Sequence, residues 1–148
     1  MPTRSDKKST KAKSAPKPGY VLFVEDQNML RLLAREAFGY EGICAAFAAD
    51  GCEAVEYFNT LLADSNPMPR IVFLDILMPC LDGREVYEKL CAEPFLSRLH
   101  KTTFVITSAA QDALKLPTGP LATRVLYKPY EVGTLIAMVR SIAPDLIA

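Results

Sequence analysis

The feature that most constrains this chain is a rhythm. Short apolar runs of strand length alternate with longer stretches of helical periodicity. "YVLFVED" reads as a first strand, and Leu30, Leu33, Ala34, Ala37 and Phe38 then recur at helical spacing until "GYEG" stops them. "ICAAFA" is a weak second strand, assigned more from context than from propensity. Ala54, Val55, Phe58, Leu61 and Leu62 mark a second helix. "RIVFLD" does not alternate apolar with polar residues, so it reads as a strand buried on both faces. Val86, Tyr87, Leu90 and Cys91 define a third helix, "TTFVITS" and "RVLYK" give strands four and five, and Val132, Leu135, Ile136, Val139 and Ala143 define a last helix. Strict alternation of strand and helix predicts an α/β fold, a doubly wound parallel sheet covered on both faces.

The 148 residues suit one domain. Formal charge is zero but unevenly spread. Residues 1–18 carry six basic side chains against Asp6 and nothing apolar larger than Ala after Met1, which predicts a disordered basic tail. The remainder, 19–148, holds eleven bases and sixteen acids; an acidic domain argues against nucleic acid as its ligand. Cys44, Cys52, Cys80 and Cys91 form no CxxC pair and lie far in sequence from His100, so they read as reduced thiols of a cytoplasmic protein rather than zinc ligands. Apart from the alanine-rich "ICAAFAA", uninterrupted apolar runs reach about five residues, against ~7–15 for a signal h-region and ~20 for a membrane span.

In open parallel sheets, chemistry gathers beyond the carboxyl ends of the strands. Strand one ends in Glu25-Asp26, strand three in Asp75, strand four in Thr107-Ser108 and strand five in Lys128-Pro129. Acids on adjacent strands would face one another across ~5 Å and repel. A divalent ion resolves the conflict, and an all-oxygen site suits Mg²⁺ or Mn²⁺. Lys128 adds a cation and a strand-four hydroxyl adds a hydrogen bond, the ingredients of phosphoryl transfer to a carboxylate. If Phe104, Ile106 and Ser108 share a face, Thr107 points the other way, which favours Ser108 as that hydroxyl.

The segments "VEDQ", "LDILMPCLDG", "FVITSAA" and "YKPY", in this order over about residues 19–145, resemble the receiver domain of two-component response regulators. The resemblance implies a flavodoxin-like five-stranded sheet of order 2-1-3-4-5. It also implies that Asp75 is the phosphoacceptor and that Asp26 binds Mg²⁺ directly, with Glu25 helping through water. By the same resemblance the Leu77 carbonyl completes the protein ligands, Ser108 is the switch hydroxyl, Lys128 binds phosphate, and Lys128-Pro129 is cis. The implied partners are a histidine kinase or phosphotransfer protein and a downstream protein target, with no nucleic acid or membrane bound by the domain. The chain is then a stand-alone regulator and not a turnover enzyme, catalysing only its own phosphorylation and slow dephosphorylation. A pseudo-receiver, binding partners without phosphorylation, is the alternative reading. A Mg²⁺ phosphohydrolase is disfavoured by Leu77 where a second acid would stand and by the lack of a Gly-rich phosphate loop.

Three departures stand out. Only 19 residues separate Ser108 from Lys128, and Pro117, Gly119 and Pro120 lie among them. The helix between strands four and five is therefore expected to be absent or reduced to a turn around residues 111–116. Val125 occupies the position where many receivers carry a switch aromatic, while Tyr127 is the nearby aromatic. Leu77 cannot orient an attacking water, so the acyl phosphate is expected to be long-lived.

Overall fold

A computed structural model describes residues 19–109 and 115–147. Its strands are β1 (Val21–Val24), β2 (Ala45–Ala48), β3 (Ile71–Asp75), β4 (Thr103–Ala109) and β5 (Ala122–Lys128). They form one parallel sheet of order β2-β1-β3-β4-β5. The helices are α1 (Asn28–Tyr40), α2 (Gly51–Ala63), α3 (Gly83–Leu90), a single turn α4 (Phe95–Arg98) and α5 (Val132–Ile142). The parallel sheet is the one the alternation predicts, and its order is the flavodoxin-like one that the resemblance implied. The turn α4 was not anticipated; it offers no run long enough to show a period.

Each central strand splits its side chains between two cores. Leu22, Val72, Leu74, Phe104 and Ile106 pack with Phe58 of α2 and Tyr87 of α3. Val21, Phe23, Ile71, Phe73 and Val105 pack with Phe38 of α1 and Val139 of α5. Burial on both faces is why β3 reads as an unbroken apolar run: all five of its residues are buried. The edge strand β2 is only half-buried, and the Arg35 guanidinium lies 4.2 Å over the Phe47 ring there. That explains its weak signature in the sequence.

The expected turn around 111–116 falls largely outside the described residues. From Lys115 to Leu121 the described chain holds no α-helix and packs against α3 instead. The buried Tyr87 hydroxyl donates to the Leu121 carbonyl (2.9 Å) and accepts from the Leu121 N–H (3.1 Å). The tail of residues 1–18 also lies outside the described residues. Among the described residues no helix is long and apolar enough to cross a membrane.

The cysteine expectation needs correction. Cys44 and Cys91 are free, but Cys52 and Cys80 are joined in a disulfide with Cα atoms 5.8 Å apart. Their separation of 28 residues hides the pairing. It becomes visible only once the fold sets the start of α2 against the loop after β3.

That loop is held from both sides. Asp82 and Glu85 form a reciprocal capping box at the start of α3. Gly83 lies so close to β3 that a Cβ there would strike the Asp75 carbonyl and come within 2.9 Å of the Ile76 Cα. Gly133, at an exposed position in the first turn of α5, would meet nothing within 4 Å. Gly83→Ala is therefore expected to destabilise the fold by about 1–3 kcal/mol through overpacking. Gly133→Ala should stabilise it by about 0.5–1 kcal/mol. Denaturant melts of the two variants should move in opposite directions.

Candidate functional site

The parallel register brings the strand ends to one edge. Val24 of β1 is level with Leu74 of β3, so Glu25 and Asp75 follow side by side. Ligand oxygens of Glu25, Asp26 and Asp75 all lie within 4.8 Å of one another. Two of these acids are almost wholly buried, Glu25 at 1% and Asp75 at 3% exposure, while Asp26 faces solvent. Lys128, at the end of β5, reaches over them. Its Nζ stands 3.1 Å from Glu25 Oε1 and 3.1 Å from Asp75 Oδ1.

Local structure fixes these acids. The Gln27 N–H donates to Glu25 Oε2 (3.2 Å), and Arg31 Nη1, one turn into α1, donates to the Glu25 carbonyl (2.8 Å). The N–H of Ile76 donates to the Thr107 carbonyl (3.0 Å), which ties the residue after Asp75 to β4. The Lys128-Pro129 peptide is cis, as the resemblance implied.

Burial, reinforced by the Glu25 charge, pushes the Asp75 carboxyl up to about 7 against the opposing pull of Lys128. Burial works against the charged ammonium of Lys128, but the Asp75 and Glu25 carboxylates outweigh it and hold the group above its ordinary value. Three carboxylates and one amine leave the cluster with a formal excess of two negative charges. The donor set is all oxygen and partly open to solvent through Asp26. It fits a hard divalent cation that keeps some of its water.

Ser108 is buried one residue beyond the level of Asp75, and its hydroxyl donates to the Ala109 carbonyl (2.8 Å). Thr107 is level with Asp75 in the register. Phe104 and Ile106 belong to the α2–α3 core and Val105 to the other, so Ser108 and Thr107 alternate onto opposite faces as expected. Leu77 lies in the loop with a half-exposed side chain. Tyr127 is level with Ser108 and half-exposed, whereas Val125 is level with Ile106. His100 is exposed and precedes the opposite, N-terminal end of β4. Next to Lys128, an open cleft of about 520 Å³ is lined by Gln27, Leu30, Ala109, Lys128, Pro129 and Tyr130.

Residues 21–140 match the family profile of the response regulator receiver domain. The chain belongs to that family. The receiver is 30% identical to the probable methanogenesis regulatory protein FilR2 of Methanothrix harundinacea, over 86% of this chain and 83% of that protein. It is 28% identical to the transcriptional regulatory protein CseB of Streptomyces coelicolor, over 83% of this chain but 48% of CseB. Apart from FilR2, the chain spans about half the length of the curated relatives it matches. The signal receiver domain of a Syntrophus aciditrophicus histidine kinase shares the fold, with a TM-score of 0.69, 21% identity, and 86% of this chain and 91% of that one covered.

Sequence reasoning gave this receiver's Tyr130 no role. Its hydroxyl is buried without a hydrogen-bond partner among the described residues. Burial, with the Glu25 and Asp75 charges, raises its pKa further. The "YKPY" segment contains it, but nothing in that spacing shows where the ring turns.

The raised Asp75 value has a consequence for stability. An acid whose folded pKa exceeds its unfolded value costs nothing at low pH. The cost appears as pH rises past the unfolded value of 3.8 and is complete above about 7. Without divalent metal, Asp75→Asn should therefore leave stability nearly unchanged near pH 4 and raise it by up to about 4 kcal/mol above pH 7. Urea melts across that range check both the size and the sign.

Proposed function

We propose that this receiver accepts a phosphoryl group on Asp75 from the phosphohistidine of a histidine kinase or phosphotransfer protein, and signals by protein contact. One observation carries the reading: a buried carboxylate at a strand end, 3.1 Å from an ammonium and within 4.8 Å of two further acids. The carboxylate is positioned as a nucleophile and its neighbours are positioned to manage charge.

Glu25, Asp26 and Asp75, with the Leu77 carbonyl, would hold Mg²⁺ or Mn²⁺. The ion would supply charge neutralisation for the incoming phosphoryl oxygens. Lys128 pulls Asp75 toward its ionised form against the effect of burial and, after transfer, can turn its ammonium to a phosphoryl oxygen. The Ser108 hydroxyl can leave the Ala109 carbonyl to do the same. The apolar, solvent-facing Leu77 side chain cannot orient a hydrolytic water, which favours a long-lived acyl phosphate. This chemistry makes the protein a substrate of its own phosphorylation rather than a turnover enzyme.

The match over 83% of FilR2, in contrast to about half of the other relatives, favours a stand-alone regulator. The acidic balance of residues 19–148 supports output through protein partners, not nucleic acid or membrane.

Incubation with a small-molecule phosphodonor, followed by intact mass, tests the proposal. One phosphoryl group should be gained with Mg²⁺, none after chelation and none in Asp75→Asn. Lys128→Ala should slow the gain by about 10-fold or more, as expected for a lost charge-stabilising contact. Mg²⁺ binding without any phosphoryl gain, from either a small donor or a phosphorylated transfer protein, would point to a phosphorylation-independent binding module.

A further inference from the structure

Cys80 lies in the exposed loop five residues after Asp75, and Cys52 lies half-buried in the first turn of α2. The two are the only cysteines among the described residues whose sulfurs are joined; Cys44 and Cys91 stand free. Their Cα separation of 5.8 Å sits within the range of unstrained disulfides. The surrounding backbone is built for close approach. A Cβ on Gly51 would strike the Leu81 carbonyl and come within 2.7 Å of the Leu81 Cβ, so the start of α2 and the loop touch main chain to main chain. Cys80 itself has a φ of 72°, a left-handed backbone that a residue with a Cβ adopts only when its surroundings hold it there.

We propose that Cys52 and Cys80 are a reversible dithiol–disulfide pair that, when oxidised, clamps the loop following the phosphoacceptor and so tunes its divalent-ion affinity. The functional half of this inference rests on the assignment of Asp75 and Leu77 to the ion site. The oxidant is a low-molecular-weight disulfide such as oxidised glutathione. The exposed Cys80 thiolate attacks one of its sulfurs, forming a mixed disulfide and releasing one glutathione thiolate. The Cys52 thiolate then attacks the Cys80 sulfur, forming the protein disulfide and releasing the second thiolate. The two protons lost by the cysteines end on the two glutathiones, and excess glutathione reverses both steps.

The clamp acts on the segment that matters for the ion. Leu77 lies between Asp75 and Cys80, and its side chain makes no buried anchor. In the reduced protein the segment is held at its ends by β3 and by the Asp82 cap of α3. The disulfide adds a third fixed point between them. A loop already held near its ligating geometry loses less freedom when the ion binds. Oxidation is therefore expected to slow amide exchange across residues 76–82 and to tighten Mg²⁺ binding by about threefold or more.

The test uses the full chain equilibrated in glutathione buffers of graded ratio. Alkylation and peptide mass then map the disulfide, while amide exchange and Mg²⁺ titration are read in the fully reduced and fully oxidised forms. Cys52→Ser and Cys80→Ser should each abolish the redox dependence while keeping the Mg²⁺ affinity of the reduced form; two variants guard against one folding defect. The inference stands if a single Cys52–Cys80 link forms and reverses, with slower exchange and tighter Mg²⁺ in the linked form. It is overturned if the link does not form, or involves Cys44 or Cys91, or forms without changing exchange and Mg²⁺ affinity. Equal Mg²⁺ affinity in both forms overturns the clamp alone. Absence of Mg²⁺ binding in both forms overturns the clamp and the ion-site assignment together.

Discussion

The repulsion among Glu25, Asp26 and Asp75 is the constraint around which this molecule is arranged. Carboxylate oxygens within 4.8 Å of one another cost roughly 3 kcal/mol per ionised pair at an effective dielectric of about 20. Two of the three are buried, which removes the water that would screen them. Lys128 offsets part of that cost by lying 3.1 Å from both buried acids. One ammonium cannot balance three carboxylates, and the surplus adds to burial, the larger cause, in raising the Asp75 value. A fold tolerates such an arrangement when something else completes the charge balance, and the surplus of two negative charges is that of a divalent cation.

The rest of the structure keeps these groups from relaxing apart. The central strands β1 and β3 are apolar on both faces, so they cannot slide in register without exposing a core. Gly83 presses on the Asp75 carbonyl, the Asp82–Glu85 capping box starts α3, and the Ile76 N–H is spent on β4. Where the chain shortens between β4 and β5, the Tyr87 hydroxyl anchors Leu121 by two buried hydrogen bonds and returns the backbone to the sheet ahead of Lys128. The acid cluster is therefore held by the packing around it as well as by its own contacts with Lys128 and the Gln27 N–H.

Much of this was legible in the sequence, for physical reasons. Parallel strands buried on both faces print continuous apolar runs, and the acids ending "YVLFVED" and "RIVFLD" mark where the apolar runs stop, although Glu25 and Asp75 are themselves buried. Alternation of side chains along β4 separated Ser108 from Thr107 without coordinates. What escaped was tertiary. The Cys52–Cys80 pair joins segments 28 residues apart through a contact that neither segment encodes alone. The one-turn α4 is too short to show a period. The Tyr130 hydroxyl, without a hydrogen-bond partner among the described residues, depends on where its ring turns, which no spacing reports.

The most direct test of the central claim is a calorimetric titration with Mg²⁺ in two buffers of different ionisation enthalpy, at a pH close to the Asp75 value of about 7. Protonated Asp75 must ionise to accept the ion, so binding should be one-to-one and should release a fraction of a proton. In Asp75→Asn that release should vanish and the affinity should fall. Saturable binding with the same proton release in Asp75→Asn, or no saturable binding in the wild type, would contradict the account.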